Sequence, residues 1–425
     1  MKDFVIMGTR DGWGQDEPFA LFRPDRRQHL HVAGKSGTGK TTLLGNMLLQ
    51  DIENGEGIAF VDPHGDQSVK LLNEIPSHRI EDVVYFNPSD SEFPIGFNLL
   101  GQVARDKRHL VAAGIVNVFK SIWSDSWGPR LEYILYAAAA AILECENVTL
   151  LSLQRMLSDK RYRAWVVKQV KDPMVQSFWE NEFEGYEKRF LQEAVAPIQN
   201  KVGQLLMSPL LRNILGQVRS SFDVREIMDK KLIFIANLSK GGLGDTGANL
   251  LGALLVTQFQ LAAMSRTDVP EDDRQDFYLY VDEFHSFASD SFVSILSEAR
   301  KYRLCLTLAH QYLSQVKPAI LAAVLGNVGS MIAFRVGHED ALALEMAFGK
   351  TYAASSFSGL SNREVYAKLF SHGKNTEPFL GKTLPPIIRN HGHRDLIIRR
   401  SREKHSTPRA TIERKISQWL GRSRM

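Results

Sequence analysis

The chain has 425 residues, 44% of them hydrophobic and 24% charged, with a formal net charge of +4 and two cysteines, Cys145 and Cys305. This allows a large core and two or three domains, and one cysteine pair excludes a disulfide framework or a thiolate zinc site. No apolar run reaches the roughly 20 residues of a spanning helix, and the stretch before Arg10 and Asp11 carries no export-signal core, so a cytoplasmic protein without a membrane span is expected.

Taken in chain order, the first informative run is Gly34-Lys35-Ser36-Gly37-Thr38-Gly39-Lys40-Thr41, which reads G-x-x-x-x-G-K-T. The apolar stretch Leu30-His31-Val32-Ala33 before it predicts a buried strand. The residues from Thr42 to Leu49 have helical periodicity. A glycine-rich turn between a strand and a helix lets backbone N–H groups curl around a triphosphate, and the helix N-terminus adds its partial positive charge. The expected nucleotide-binding set is Gly34, Lys35, Ser36, Gly37, Thr38, Gly39, Lys40, Thr41 and Thr42. Lys40 is expected to neutralise the β and γ phosphates, and Thr41 to offer its hydroxyl to Mg2+.

Gly57-Ile58-Ala59-Phe60-Val61-Asp62 predicts a second buried strand ending in the polar turn Pro63-His64-Gly65-Asp66, and Val83-Val84-Tyr85-Phe86 predicts a third. Asp62 and His64 fall at the same edge as the cradle. They either line the nucleotide pocket or belong to a hydrogen-bonded turn. Strand alternating with helix is the rhythm of a parallel sheet. Helical patterns then occupy residues 106–219 with hardly a strand between them, which predicts an all-α insertion.

Strands resume at Lys231–Asn237, and an apolar helix follows over Gly247–Met264. The next strand, Phe277-Tyr278-Leu279-Tyr280-Val281-Asp282-Glu283, ends in two acids at the sheet edge where parallel sheets place ligands. Asp282 is assigned to Mg2+ and Glu283 to the role of general base for an attacking water. Leu304–Ala309 precedes His310-Gln311, which brings the Gln311 amide to the same edge to sense the γ phosphate or align water. Arg335, read inside a strand over Met331–Val336, and Arg130, after Trp127-Gly128-Pro129, are the candidates to meet charge on the phosphoryl group from a neighbouring subunit, or else form structural ion pairs. His372, His391, His393 and His405 read as loop histidines. From Arg389 to the end there are eleven Lys/Arg against three acids, the footprint of a polyanion partner or of a solvated basic helix over Thr411–Leu420.

Together GKSGTGKT, GIAFVDPHGD, WGPRLEYIL, YVDEF, LAHQ and NVGSMIAFRVGHEDA, with the Leu384-Pro385-Pro386 turn, resemble the HerA/FtsK superfamily of P-loop ATPases, and within it the type IV secretion coupling proteins of the TraG/TraD kind. The resemblance implies an α/β, RecA-like P-loop domain with a mostly parallel sheet and an inserted all-α domain. It divides the chain into a first ATPase part (1–100), the insertion (101–220), a second ATPase part (221–385) and a basic tail (386–425). It also implies a homo-hexameric ring that threads single- or double-stranded DNA with ATP and Mg2+ in conjugative transfer or DNA processing, with relaxosome or secretion-channel proteins as further partners. Residue by residue it carries Lys40 and Thr41 onto the cradle, Asp282 and Glu283 onto the metal and base, Gln311 onto the sensor and Arg335 onto the trans-acting arginine. Membrane-bound coupling proteins carry transmembrane helices ahead of the cradle, and the expectation here is a relative without one. The competing readings are an ATPase acting on protein cargo and a nucleotide-gated scaffold without turnover.

Overall fold

A computed structural model of the chain describes residues 3–12, 14–101, 103–290 and 292–421, and it divides into two compact units. The first unit, Met1–Phe86 with Val224–Ser239 and Ala262–Arg400, is built on one eleven-stranded sheet. Its strands are β1 (Phe4–Asp11), β2 (Asp16–Phe22), β3 (Leu30–Ala33), β4 (Gly57–Asp62), β5 (Val83–Phe86), β6 (Ile233–Asn237), β7 (Phe277–Val281), β8 (Leu304–His310), β9 (Ser330–Ala333), β10 (Glu364–Lys368) and β13 (Phe379–Thr383). A separate two-stranded ribbon pairs β11 (Phe370–Ser371) with β12 (Lys374–Asn375). The sheet order is β2-β1-β13-β10-β9-β3-β8-β7-β4-β6-β5.

From β9 to β5 every neighbour is parallel. Those strands read as unbroken apolar runs because both sheet faces are covered, and β3, β4, β5, β6, β7, β8 and β9 are buried along their whole length. The antiparallel extension β2-β1-β13-β10 docks on β9. It was not expected from the sequence; its strands are only partly buried, and β1 carries a bulge against β2 between Ile6 and Gly8. α1 (Lys40–Glu53) and α2 (Asp66–Glu74) pack on the sheet through Leu43, Leu44, Met47, Leu48, Ile52, Leu71 and Leu72. Cys305 is buried here as a free thiol.

The second unit is Asn87–Asp223 with Lys240–Leu261 and Ser401–Met425, and among its described residues it is helical. α3 (Arg108–Ile122) and α4 (Pro129–Ile142) lead it, Pro129 sitting at the first turn of its helix where its missing N–H costs nothing. Thr149 opens the next helix with a capping box, and Asp159 and Asp172 cap the two after that. Gly114 lets α3 approach the helix Lys240–Met264: a Cβ there would stand 2.9 Å from Cγ2 of Thr257. That helix is kinked at Gly244, and its continuation to Asp268 is long and apolar enough to cross a membrane, but 72% of its apolar window is buried, the pattern of a core helix.

The residues of the expected basic tail form two helices, Arg394–His405 and Arg409–Gly421; Arg422 and Arg424 lie outside the described residues. The second helix buries Ile412 and Ile416 in the helical unit, and Trp419 meets Tyr162 and Arg155. Much of the tail's charge is paired: Arg402 with Asp90 (2.6 Å), Arg409 with Glu413 (2.8 Å), Arg389 with Glu53 (3.1 Å) and Arg400 with Glu81 (3.4 Å).

Candidate nucleotide site

The cradle joins β3 to α1 and is fixed by backbone bonds to three other segments. The Gly34 N–H donates to the His310 carbonyl (3.3 Å), the Lys35 N–H to the Arg335 carbonyl (2.8 Å), and the Thr38 carbonyl accepts from the Arg363 N–H (2.9 Å). Gly34 has no room for a side chain: a Cβ there would stand 2.5 Å from Cβ of Phe334. Gly37 and Gly39 have φ of 76° and 123°, backbone that L side chains rarely adopt. The Thr38 hydroxyl donates to the Lys35 carbonyl at 2.7 Å and locks the loop from inside. Lys40 is buried, with Nζ donating to the carbonyls of Gly34 (2.5 Å) and Lys35 (3.2 Å). Burial lowers its pKa, while Glu283 and Asp282 act the other way. Ser36, Gly37 and Thr41 are exposed at the mouth of the loop, and Lys35, Gly39 and Thr42 are half-buried.

The acid pair follows β7. Asp282 is buried and its Oδ1 accepts the Glu283 N–H at 3.0 Å. Burial, reinforced by Glu283 and Asp62, pushes its carboxyl up to about 7. Glu283 adopts a left-handed conformation (φ 46°, ψ 48°), an uncommon one for a side chain of that kind and one that clusters at functional sites. Its Oε1 accepts from Nε2 of Gln311 at 2.6 Å, and its buried Oε2 lies 3.4 Å from Nδ1 of His285 without a hydrogen bond. The parallel register that sets Val281 beside Leu308 carries the ends of β7 and β8 to one edge, so residues 28 positions apart meet. An imidazole pair lies beneath: His31 and His310 approach at Nε2···Nε2 3.3 Å, and burial pushes His31 down to about 4 and His310 further.

The donor set fits a magnesium nucleotide. A buried ammonium turned onto loop carbonyls, an exposed hydroxyl, and two carboxylates of which one has an unsatisfied buried oxygen are hard oxygen and cationic groups at one sheet edge.

Other expected residues stand differently. Asp62 serves the turn before α2 with both oxygens: Oδ1 accepts the N–H groups of His64 and Gly65 and Oδ2 that of Ser68, each at 2.9 Å. Arg335 is not inside a strand, because β9 ends at Ala333. It is half-buried beyond the sheet, bonded to the Leu360 carbonyl and Asn362 Oδ1, both at 3.4 Å. Arg130 belongs to the helical unit, where its guanidinium lies 4.5 Å from the Phe190 ring centroid. Of the four histidines, His391 and His393 stack ring on ring, and Nδ1 of His393 lies 3.0 Å from the Ile75 carbonyl. Sequence reasoning missed Arg363, which has φ 69° and touches the cradle. Only the neighbouring Ser361-Asn362 hinted at a turn there.

The comparisons agree with this architecture. No curated protein matches the chain. Among solved structures, the bacterial conjugative coupling protein TrwB lacking its first 70 residues superposes with a TM-score of 0.63 at 14% identity, covering 90% of this chain and 91% of that one. TrwB in complex with ADP and Mg2+ gives 0.62 at 14% identity over 92% and 98%. VirB4 of Thermoanaerobacter pseudethanolicus gives 0.58 at 12% over 90% and 96%. These likenesses establish the RecA-like P-loop fold. Residues 20–351 match the family model of the type IV secretion-system coupling protein DNA-binding domain, and the chain belongs to that family.

Proposed function

We propose that this protein is an ATP-driven motor that moves DNA, with its hydrolytic site at the cradle edge of the sheet unit. The observation that carries the reading is the meeting of Glu283 and Gln311 at 2.6 Å on the edge that also holds Lys40 and Asp282. TrwB, of the same fold, is described in complex with ADP and Mg2+ and with a non-hydrolysable ATP analogue.

Lys40 exchanges its bonds to the Gly34 and Lys35 carbonyls for phosphate oxygens of the β and γ groups, and the N–H groups of the loop close around them. Thr41 and Asp282 are the residues that would hold magnesium, which would supply charge neutralisation for the phosphate oxygens. Glu283 takes the proton of the attacking water as its oxygen closes on the γ phosphorus, and Gln311, already bonded to that carboxylate, orients the pair. Gly34 to Thr42 supply the remaining contacts to the phosphates. Arg335, half-buried beyond the sheet, is the candidate for charge stabilisation across a homo-hexameric ring. Arg130, whose guanidinium lies over the Phe190 ring, is the second candidate for that role.

The partner is DNA, as the family implies, in transfer between cells or in DNA processing on the cytoplasmic side, with relaxosome or channel proteins as further partners. Several tail cations are paired with acids, and the grip on DNA falls to the remaining tail cations or to the helical unit. The test is ATP hydrolysis with and without single- and double-stranded DNA at low and high salt. The account expects stimulation that fades steeply as salt rises. Hydrolysis indifferent to both DNA forms but stimulated by a protein partner supports the protein-cargo reading instead.

A further inference from the structure

We propose that Arg363 is a nucleotide contact: its guanidinium binds phosphate oxygens of the nucleotide held in the cradle of its own subunit. This rests on the nucleotide-binding reading given above. Arg363 stands at the end of the turn Ser361-Asn362-Arg363-Glu364, immediately before β10. Its N–H donates to the Thr38 carbonyl at 2.9 Å, and its carbonyl accepts from the Thr383 N–H at 2.8 Å. Its backbone is therefore bonded to the cradle on one side and to the end of β13 on the other.

The side chain leaves that anchor across the loop. A Cβ on Gly39, the N-cap of α1, would lie 3.5 Å from Cγ of Arg363 and 3.7 Å from its Cα. The start of the arginine side chain thus lies against the N-cap of α1, the helix end at which phosphates are held. Asn362, its neighbour, is taken up by Arg335, but the guanidinium of Arg363 enters no ion pair or side-chain hydrogen bond among the described residues. A left-handed turn in which Gly or Asn is the unstrained choice instead carries the one long side chain suited to bidentate phosphate binding.

The experiment is direct binding of ATP and ADP to the full chain by calorimetry. It uses the wild type, Lys40→Ala, Arg363→Gly, Arg363→Asn and Arg363→Lys, with a thermal melt of each. Gly and Asn both keep the left-handed backbone, so these variants remove the guanidinium and leave the turn. Arg363→Gly and Arg363→Asn are expected to weaken ATP binding by about tenfold or more at unchanged melting temperature, and Arg363→Lys to recover part of the loss. Unchanged ATP affinity in the Gly and Asn variants, while Lys40→Ala loses it, overturns the arginine contact alone. An equal loss in all three Arg363 variants with a lowered melting temperature overturns it too, by showing a structural role. A wild-type chain that binds neither nucleotide contradicts the underlying reading.

Discussion

At the scale of single residues, two carboxylates one position apart are set to different tasks by their surroundings. Glu283 is held by the Gln311 amide through one oxygen, with the other 3.4 Å from Nδ1 of His285, whereas Asp282 is buried against Glu283 and Asp62 and keeps its proton up to about pH 7. Replacing Glu283 by Gln is expected to keep ATP binding and reduce phosphate release by about 100-fold or more, as read in a single-turnover assay. Asp282 also makes a stability prediction. The fold binds its proton more tightly than the unfolded chain, so between about pH 4 and pH 7 the folded state holds more protons and stability falls as pH rises, by about 1.4 kcal/mol for each tenfold difference in proton affinity. Asp282→Asn removes that penalty. Without added metal it should raise the melting temperature at pH 8 and change it little near pH 4; equal changes at both pH values would contradict the cause given. Lys40, Thr41, Asp282, Glu283 and Gln311 were legible as candidates because motif spacing, strand ends and parallel register are local signals. Arg363 was not, since its placement depends on Thr383, twenty residues on. Asp62 was ambiguous because one carboxylate suits a ligand or a turn equally, and here the turn has both oxygens.

At the scale of elements, the cradle helix and the acid-bearing strand are tied by a buried polar knot. Arg26, in the turn before β3, donates to both oxygens of Asp51 on α1 (2.6 and 2.8 Å) and to the Tyr280 hydroxyl on β7, which in turn donates to Asp51. Its guanidinium also lies 3.6 Å from the Tyr278 ring centroid. Removing one partner strands a buried charge, so Asp51→Ala should cost about 3–5 kcal/mol in urea unfolding, and Arg26→Met with Asp51→Leu should recover much of it. A loss below about 1 kcal/mol for Asp51→Ala would mean the knot is dispensable. The parallel strands could be read from sequence because burial on both faces makes them continuous apolar runs. The β1, β2, β10 and β13 extension could not, since those strands are defined by partners from opposite ends of the chain. Arg335 was misread for a related reason: the apolar run passes Ala333 but the ladder stops there.

For the whole molecule, the chain belongs to a family matched over residues 20–351, and it divides into a sheet unit that carries the cradle and a second unit that is helical among its described residues. The helical character of residues 106–219 was legible from periodicity, but the return of Lys240–Leu261 and the last helix to that unit was not, because β6 separates the first from it in sequence and β6 to β13 separate the second. A motor needs the two units coupled through ATP turnover on DNA, and contacts to the DNA backbone release counterions. The central claim is tested most directly by the steady-state ATPase rate of the full chain at low salt, with and without single- and double-stranded DNA, beside the Glu283→Gln variant. The expected result is a wild-type rate raised by at least one DNA form, falling steeply with added salt, and lowered about 100-fold or more in Glu283→Gln. A wild-type rate unaffected by either DNA form, or one unchanged in Glu283→Gln, would contradict the account.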